Sequence, residues 1–182
     1  MTEKTVYIRF FSPVNADTVN KLMSVIQQKL SEGVGRFVLL ISSPGGDVHS
    51  GLSAYNFLKG IPAEIITHNF GSADSISSVI YCAGSKRFSV PHARFLLHGV
   101  SSGFGAGMAL EEKQLEERLK SLRIDTENIA KVIAANVKKS EAEVKRDMLD
   151  RTTLNSEQAI EYGLAHEIKS ELVEPGAEII SI

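Results

Sequence analysis

The chain has 182 residues, 43% of them apolar, and a formal charge of −2, which suits one domain (residues 1–182) and excludes the basic face that nucleic acid or an anionic membrane would need. Its one cysteine, Cys82, excludes an internal disulfide framework and fits a reducing compartment. The opening MTEKTVYIRF lacks the apolar core of a signal peptide and no run approaches the roughly 18 apolar residues of a membrane span, so a soluble cytoplasmic protein is expected.

Thr5 to Phe11 reads as a strand, rich in β-branched and aromatic residues. A helix capped by Asn15 follows, with Val19, Leu22, Met23, Ile26 and Leu30 on one stripe and Gly33 and Gly35 at its end. Arg36 to Ser42 (RFVLLIS) is a continuous apolar run, the mark of a strand buried on both faces. Pro44-Gly45-Gly46 is a tight turn, and Val48, Leu52, Tyr55 and Leu58 belong to a second helix broken by Gly60 and Pro62. Ala63 to His68 is the third strand; Gly71 opens a turn into an apolar helix from about Asp74 to Ala83. Short strands are expected near Arg87–Val90 and Arg94–His98. This alternation of buried strands and helices predicts a parallel α/β sheet with right-handed crossovers.

Gly99 to Gly107 (GVSSGFGAG) reads as a mobile loop or irregular strand, and Met108 to Lys138 as a long charged helix or two in line. Ser140 with Glu143 forms a capping box, and Asn155 with Gln158 a weaker one before a short helix ending at Gly163.

A serine hydroxyl needs a base to become a nucleophile, and acyl transfer needs N–H donors aimed at the developing oxyanion. Ser75 falls at a helix start after the third strand, Gly45 and Gly46 follow the second strand, and His98 ends the run ARFLLH. Parallel α/β folds place their sites at such strand ends. Each residue also has an ordinary reading as cap, turn or structural histidine. Position alone leaves Ser72, Ser77 and Ser78 as rivals to Ser75, and His49, His68, His92 and His166 as rivals to His98.

The combination narrows the choice. Ile41 to Val48 (ISSPGGDV), the turn Gly71-Ser72-Ala73-Asp74-Ser75, the stretch Ala83 to Phe88, the strand Phe95 to His98 and the segment Gln158 to Leu164 (QAIEYGL) resemble, in order, the motifs of the Clp protease proteolytic subunit family. The resemblance runs from Tyr7 to about Ile168. It implies the Clp/crotonase-type fold, an α/β spiral of βα units with a protruding long helix, assembled into homo-oligomeric rings. It implies a serine endopeptidase acting on peptides or unfolded polypeptides, with Ser75 as nucleophile, His98 as base, and the N–H groups of Gly46 and Ile76 as oxyanion hole. For the third triad member, counting back from Tyr162 without a gap lands on Arg151. Asp150, one residue off, is the expected acid, with Asp147 the alternative.

The chain departs from the family pattern at Asp74 and Ser77, around the serine, and at Gly99-Val100 after the histidine. It also begins almost at its first strand, so activity without an ATPase partner is expected. No metal or other cofactor is implied: Cys82 is isolated, no histidine pair has ligand spacing, and the Pro-Gly-Gly turn lacks the lysine of a phosphate loop. Two alternatives stay open: a Ser–Lys dyad with Lys86 as base, and an inactive ring subunit acting as scaffold or regulator.

Overall fold

A computed structural model describes residues 4–103, 105–107 and 109–182. Phe104 of the glycine-rich segment and Met108, the expected start of the long helix, lie outside the described residues, as do Met1 to Glu3.

Three βα units open the chain: β1 (Thr5–Phe10) and α1 (Ala16–Ser31), β2 (Arg36–Ser43) and α2 (Val48–Gly60), β3 (Glu64–Asp74) and α3 (Ile76–Tyr81). Then come β4 (Lys86–Ser89), β5 (Arg94–Leu96), α4 (Glu112–Ala134), α5 (Glu141–Leu149), β6 (Thr153–Asn155), α6 (Ser156–Tyr162), β7 (Glu167–Ile168) and β8 (Glu178–Ser181). The local signals act as expected. Asn15 accepts from the Thr18 N–H, Ser140 from Glu143 and Asn155 from Gln158, each closing a capping box that satisfies otherwise orphaned helix donors.

The strands form one sheet in the order β6-β5-β3-β2-β1-β8, with β4 joining β3 to β7. Every pairing is parallel except β5 with β6. β2 lies inside, and its alternation feeds two cores. Phe37, Leu39 and Ile41 face the helices, while Val38 and Leu40 join Tyr7 and Ile66 on the other face, covered by Leu172, Val173 and Ala177.

The largest difference from expectation is in β3. It does not stop near His68 but continues through Gly71 to Asp74. Its register against β2 slips between Ile41 and Ser43, where a bulge bends it. Its first half pairs with β4 and its second half, from Ser72, with β5. Glycine at 71 is required by close approach, since a Cβ there would stand 2.6 Å from Ser42 Oγ. Asn69 holds the bend, accepting from the Gly71 N–H at 3.0 Å and donating to the Arg94 carbonyl at 2.8 Å.

α4 is a single helix whose buried residues, Asp125, Ile129, Ala130 and Ile133, all lie in its second half. Leu115, Leu119 and Ile124 are 49%, 48% and 47% exposed, so its first part protrudes as expected. Among the described residues no helix is long and apolar enough to cross a membrane.

Candidate active site

The C-terminal ends of β2, β3 and β5 converge, as switch points in parallel sheets do. After β2 the chain turns through Gly45 (φ +86°) and Gly46 (φ +151°), conformations an L side chain rarely adopts. A Cβ on Gly45 would stand 2.6 Å from Ser75 Cβ. The turn is clamped from outside: Val14 N–H donates to the Gly45 carbonyl and Asp47 N–H to the Val14 carbonyl, both at 2.8 Å. That parallel bridge turns the N–H of Gly46 itself away from Val14. Asp47 caps α2, and hydrogen bonds from Ser50 hold its carboxyl below the usual carboxylate range.

Ser75 sits between β3 and α3 at φ 58°, ψ −131°, a strained backbone for a residue with a Cβ. Its N–H donates to the Leu96 carbonyl at 2.7 Å, tying the turn to β5. The rival serines are all engaged. Ser77 Oγ donates to the Asp74 carbonyl at 2.7 Å, Ser78 Oγ to the Ser75 carbonyl at 2.6 Å, and Ser72 Oγ contacts the Ser43 carbonyl at 3.4 Å. Ser75 and His98 line one cavity with Gly46 and Ile76, and its remaining wall combines apolar residues such as Ile129, Ile133 and Met148 with Ser78 and Ser101. No hydrogen bond joins Ser75 to His98 in this conformation, and such pairs often tighten only with substrate bound.

Asp74, the acid beside Ser75, is buried, and its Oδ2 pairs with the largely exposed Arg94 through Nη2 at 2.6 Å, while Oδ1 is buried without a hydrogen-bond partner among the described residues. Sequence reasoning missed Arg94 and the Val14 clamp, because both act through pairings set by distant chain segments.

None of the other histidines lines this cavity, and His49 stands in the groove beside it. His68 is buried and its Nε2–H donates to the Lys169 carbonyl at 2.9 Å; burial lowers its pKa. His166 Nδ1 accepts from the Arg87 N–H, and His49 and His92 are exposed. Lys86 is exposed on β4 and does not line the cavity, which leaves the Ser–Lys alternative without support. Burial pushes the Cys82 thiol up to about 12, so it is no rival nucleophile. Among the described residues no group of three or more His, Cys, Asp or Glu could hold a metal ion.

The expected acids are not brought to His98. Asp147 Oδ2 accepts from Lys139 Nζ at 2.9 Å and from Tyr162 OH at 2.8 Å. Asp150 is the exposed C-cap of α5. His98 Nδ1 instead lies 2.7 Å from the Gly99 carbonyl oxygen.

The Clp protease family matches residues 3–171, nearly the whole chain. The chain belongs to the Clp protease family. That family consists of serine-type peptidases, and all the motif-like stretches from Ile41 to Leu164 fall inside the match. Similar relatives include the "ATP-dependent Clp protease proteolytic subunit 2" of Corynebacterium efficiens, 32% identical over 86% of this chain and 78% of that protein. Another is the "ATP-dependent Clp protease proteolytic subunit 2" of Treponema denticola, 32% identical over 81% of this chain and 79% of the relative. A third is the "ATP-dependent Clp protease proteolytic subunit 3" of Rhodococcus jostii, 30% identical over 75% of this chain and 67% of the relative.

Proposed function

We propose that this chain hydrolyses peptide bonds in short peptides and unfolded polypeptides through an acyl-enzyme on Ser75. His98 takes the Ser75 proton and later gives it to the leaving amine, and the N–H groups of Gly46 and Ile76 stabilise the oxyanion. The observation that carries this reading is the strained turn at Ser75, which presents its hydroxyl to the cavity while Ser72, Ser77 and Ser78 are engaged with carbonyls. Labelling with a fluorophosphonate, followed by mapping of the modified residue, tests it. An adduct on Ser75 is expected; an adduct on another serine, or none, would remove the support.

One observation favours a second reading, an inactive ring subunit: among the described residues no carboxylate is bonded to His98. The same labelling separates the two, because an inactive subunit leaves Ser75 unmodified.

The relatives' names speak of ATP dependence. Short peptides need no unfolding to enter a cavity, so this chain is expected to cleave fluorogenic peptides with an apolar residue before the scissile bond in the absence of nucleotide and ATPase. Cleavage that appears only after an ATPase is added would refute this.

The exposed leucines of α4 lie on the helix's protruding part, and a free monomer would leave them wet. We read them as buried between copies of the chain in a ring. Light scattering at micromolar concentration and moderate salt should give a mass many times that of one chain; a clean monomer would defeat the ring.

A further inference from the structure

We propose that the main-chain carbonyl of Gly99 orients His98, and that Arg151 stands across the strand ladder where an acid would otherwise act, so that Ser75 and His98 work as a pair without a carboxylate. This rests on the acyl-transfer reading above. A carbonyl oxygen can only accept, so the 2.7 Å contact puts the proton on His98 Nδ1 and leaves the Nε2 lone pair for the serine. The carbonyl thus performs half of a triad acid's work, fixing the tautomer and the ring. It does not perform the other half, because a neutral acceptor stabilises an imidazolium less than a carboxylate does.

The ladder locates the missing half. β5 pairs with β6 as Arg94 with Asn155 and Leu96 with Thr153, and the Leu97 N–H donates to the Thr152 carbonyl at 2.8 Å. The paired strands end there, and the same register continued one residue past Leu97 and Thr152 brings Arg151 level with His98. Arg151 has φ 56° because it closes the end of α5: its N–H bonds the Met148 carbonyl and the Thr152 N–H bonds the Asp147 carbonyl. This is the left-handed position that follows a helix C-cap. The helix end therefore fixes which residue comes next to the end of the ladder, and it is Arg151, while Asp150 remains the helix C-cap. Among the described residues none that lines the cavity carries a formal charge apart from His98 when protonated. The charged groups around it are Asp47, His49, Arg118 and Asp125 in the adjoining groove and Asp147, Asp150 and Arg151 at the end of α5.

The test follows the rate of fluorophosphonate labelling of Ser75, and peptide kcat/KM, against pH. Arg151→Asp places a carboxylate opposite His98 in a conformation aspartate tolerates. It is expected to speed labelling and to move the acid limb of both profiles up by about one pH unit, the shift expected from a nearby opposite charge. Asp150→Asn and Asp147→Asn are expected to leave the acid limb in place. An unmoved limb in Arg151→Asp, or a loss of orders of magnitude in Asp150→Asn with the oligomer intact, would overturn the proposal. An unlabelled Ser75 in the unaltered protein would be a different failure, that of the acyl-transfer reading itself.

Discussion

Ser75→Ala should lower peptide turnover by roughly 10³-fold or more and abolish fluorophosphonate labelling. Only the Oγ atom is removed, and it anchors none of the hydrogen bonds that hold the turn, which come from the Ser75 N–H and the Ser78 hydroxyl. Alanine is no worse than serine at φ 58°, since both carry a Cβ. Folding and oligomer mass should therefore stay as they were while activity disappears. Ser77→Ala removes a hydroxyl that bonds the Asp74 carbonyl, so it should cost about 1 kcal/mol of stability and leave the acylated residue unchanged. Turnover of Ser75→Ala within tenfold of the unaltered protein would mean that another group attacks the peptide.

Gly46→Ala should be nearly as damaging by a different route. A Cβ there would stand 2.1 Å from the Val14 carbonyl oxygen, and φ +151° suits glycine alone. The Val14 clamp must give way, and the Gly46 N–H, the proposed oxyanion donor, moves with it. Losing one oxyanion donor costs about 10²–10³ in kcat. The strain should also cost roughly 2 kcal/mol or more of stability. The urea midpoint and the labelling rate of Ser75, measured on one sample, separate the two effects. Ordinary labelling with only a lowered midpoint would free Gly46 of any part in the oxyanion hole.

Several features were legible in the sequence because their causes are local. A capping box needs residues three positions apart, so Ser140 with Glu143 and Asn155 with Gln158 marked α5 and α6 before any packing was known. The run RFVLLIS marked a strand buried on both faces, and the amphipathic stripe of α1 placed Val19, Leu22 and Ile26 in the core. The order of the motifs, from ISSPGGDV to QAIEYGL, marked the family. Tertiary structure decided what depends on distant partners. Gly71 reads as a turn, yet it sits inside a strand, because β5 pairs with the strand's second half and Ser42 leaves no room for a side chain. β6, β7 and β8 have two to four residues each, too short for any periodicity, and exist only through their pairing. Position alone leaves Ser75 one of several serines and the motif order singles it out; only the fold shows that Ser72, Ser77 and Ser78 are engaged by the Ser43, Asp74 and Ser75 carbonyls. The partner of His98 was the least legible. Counting back from Tyr162 lands on Arg151, and Asp150 is expected only by allowing one extra residue; in the structure neither Asp150 nor Asp147 is bonded to His98, and the next peptide supplies the acceptor. Sequence fixes residue types and local turns, whereas the direction of a single hydrogen bond depends on where the fold brings two segments together.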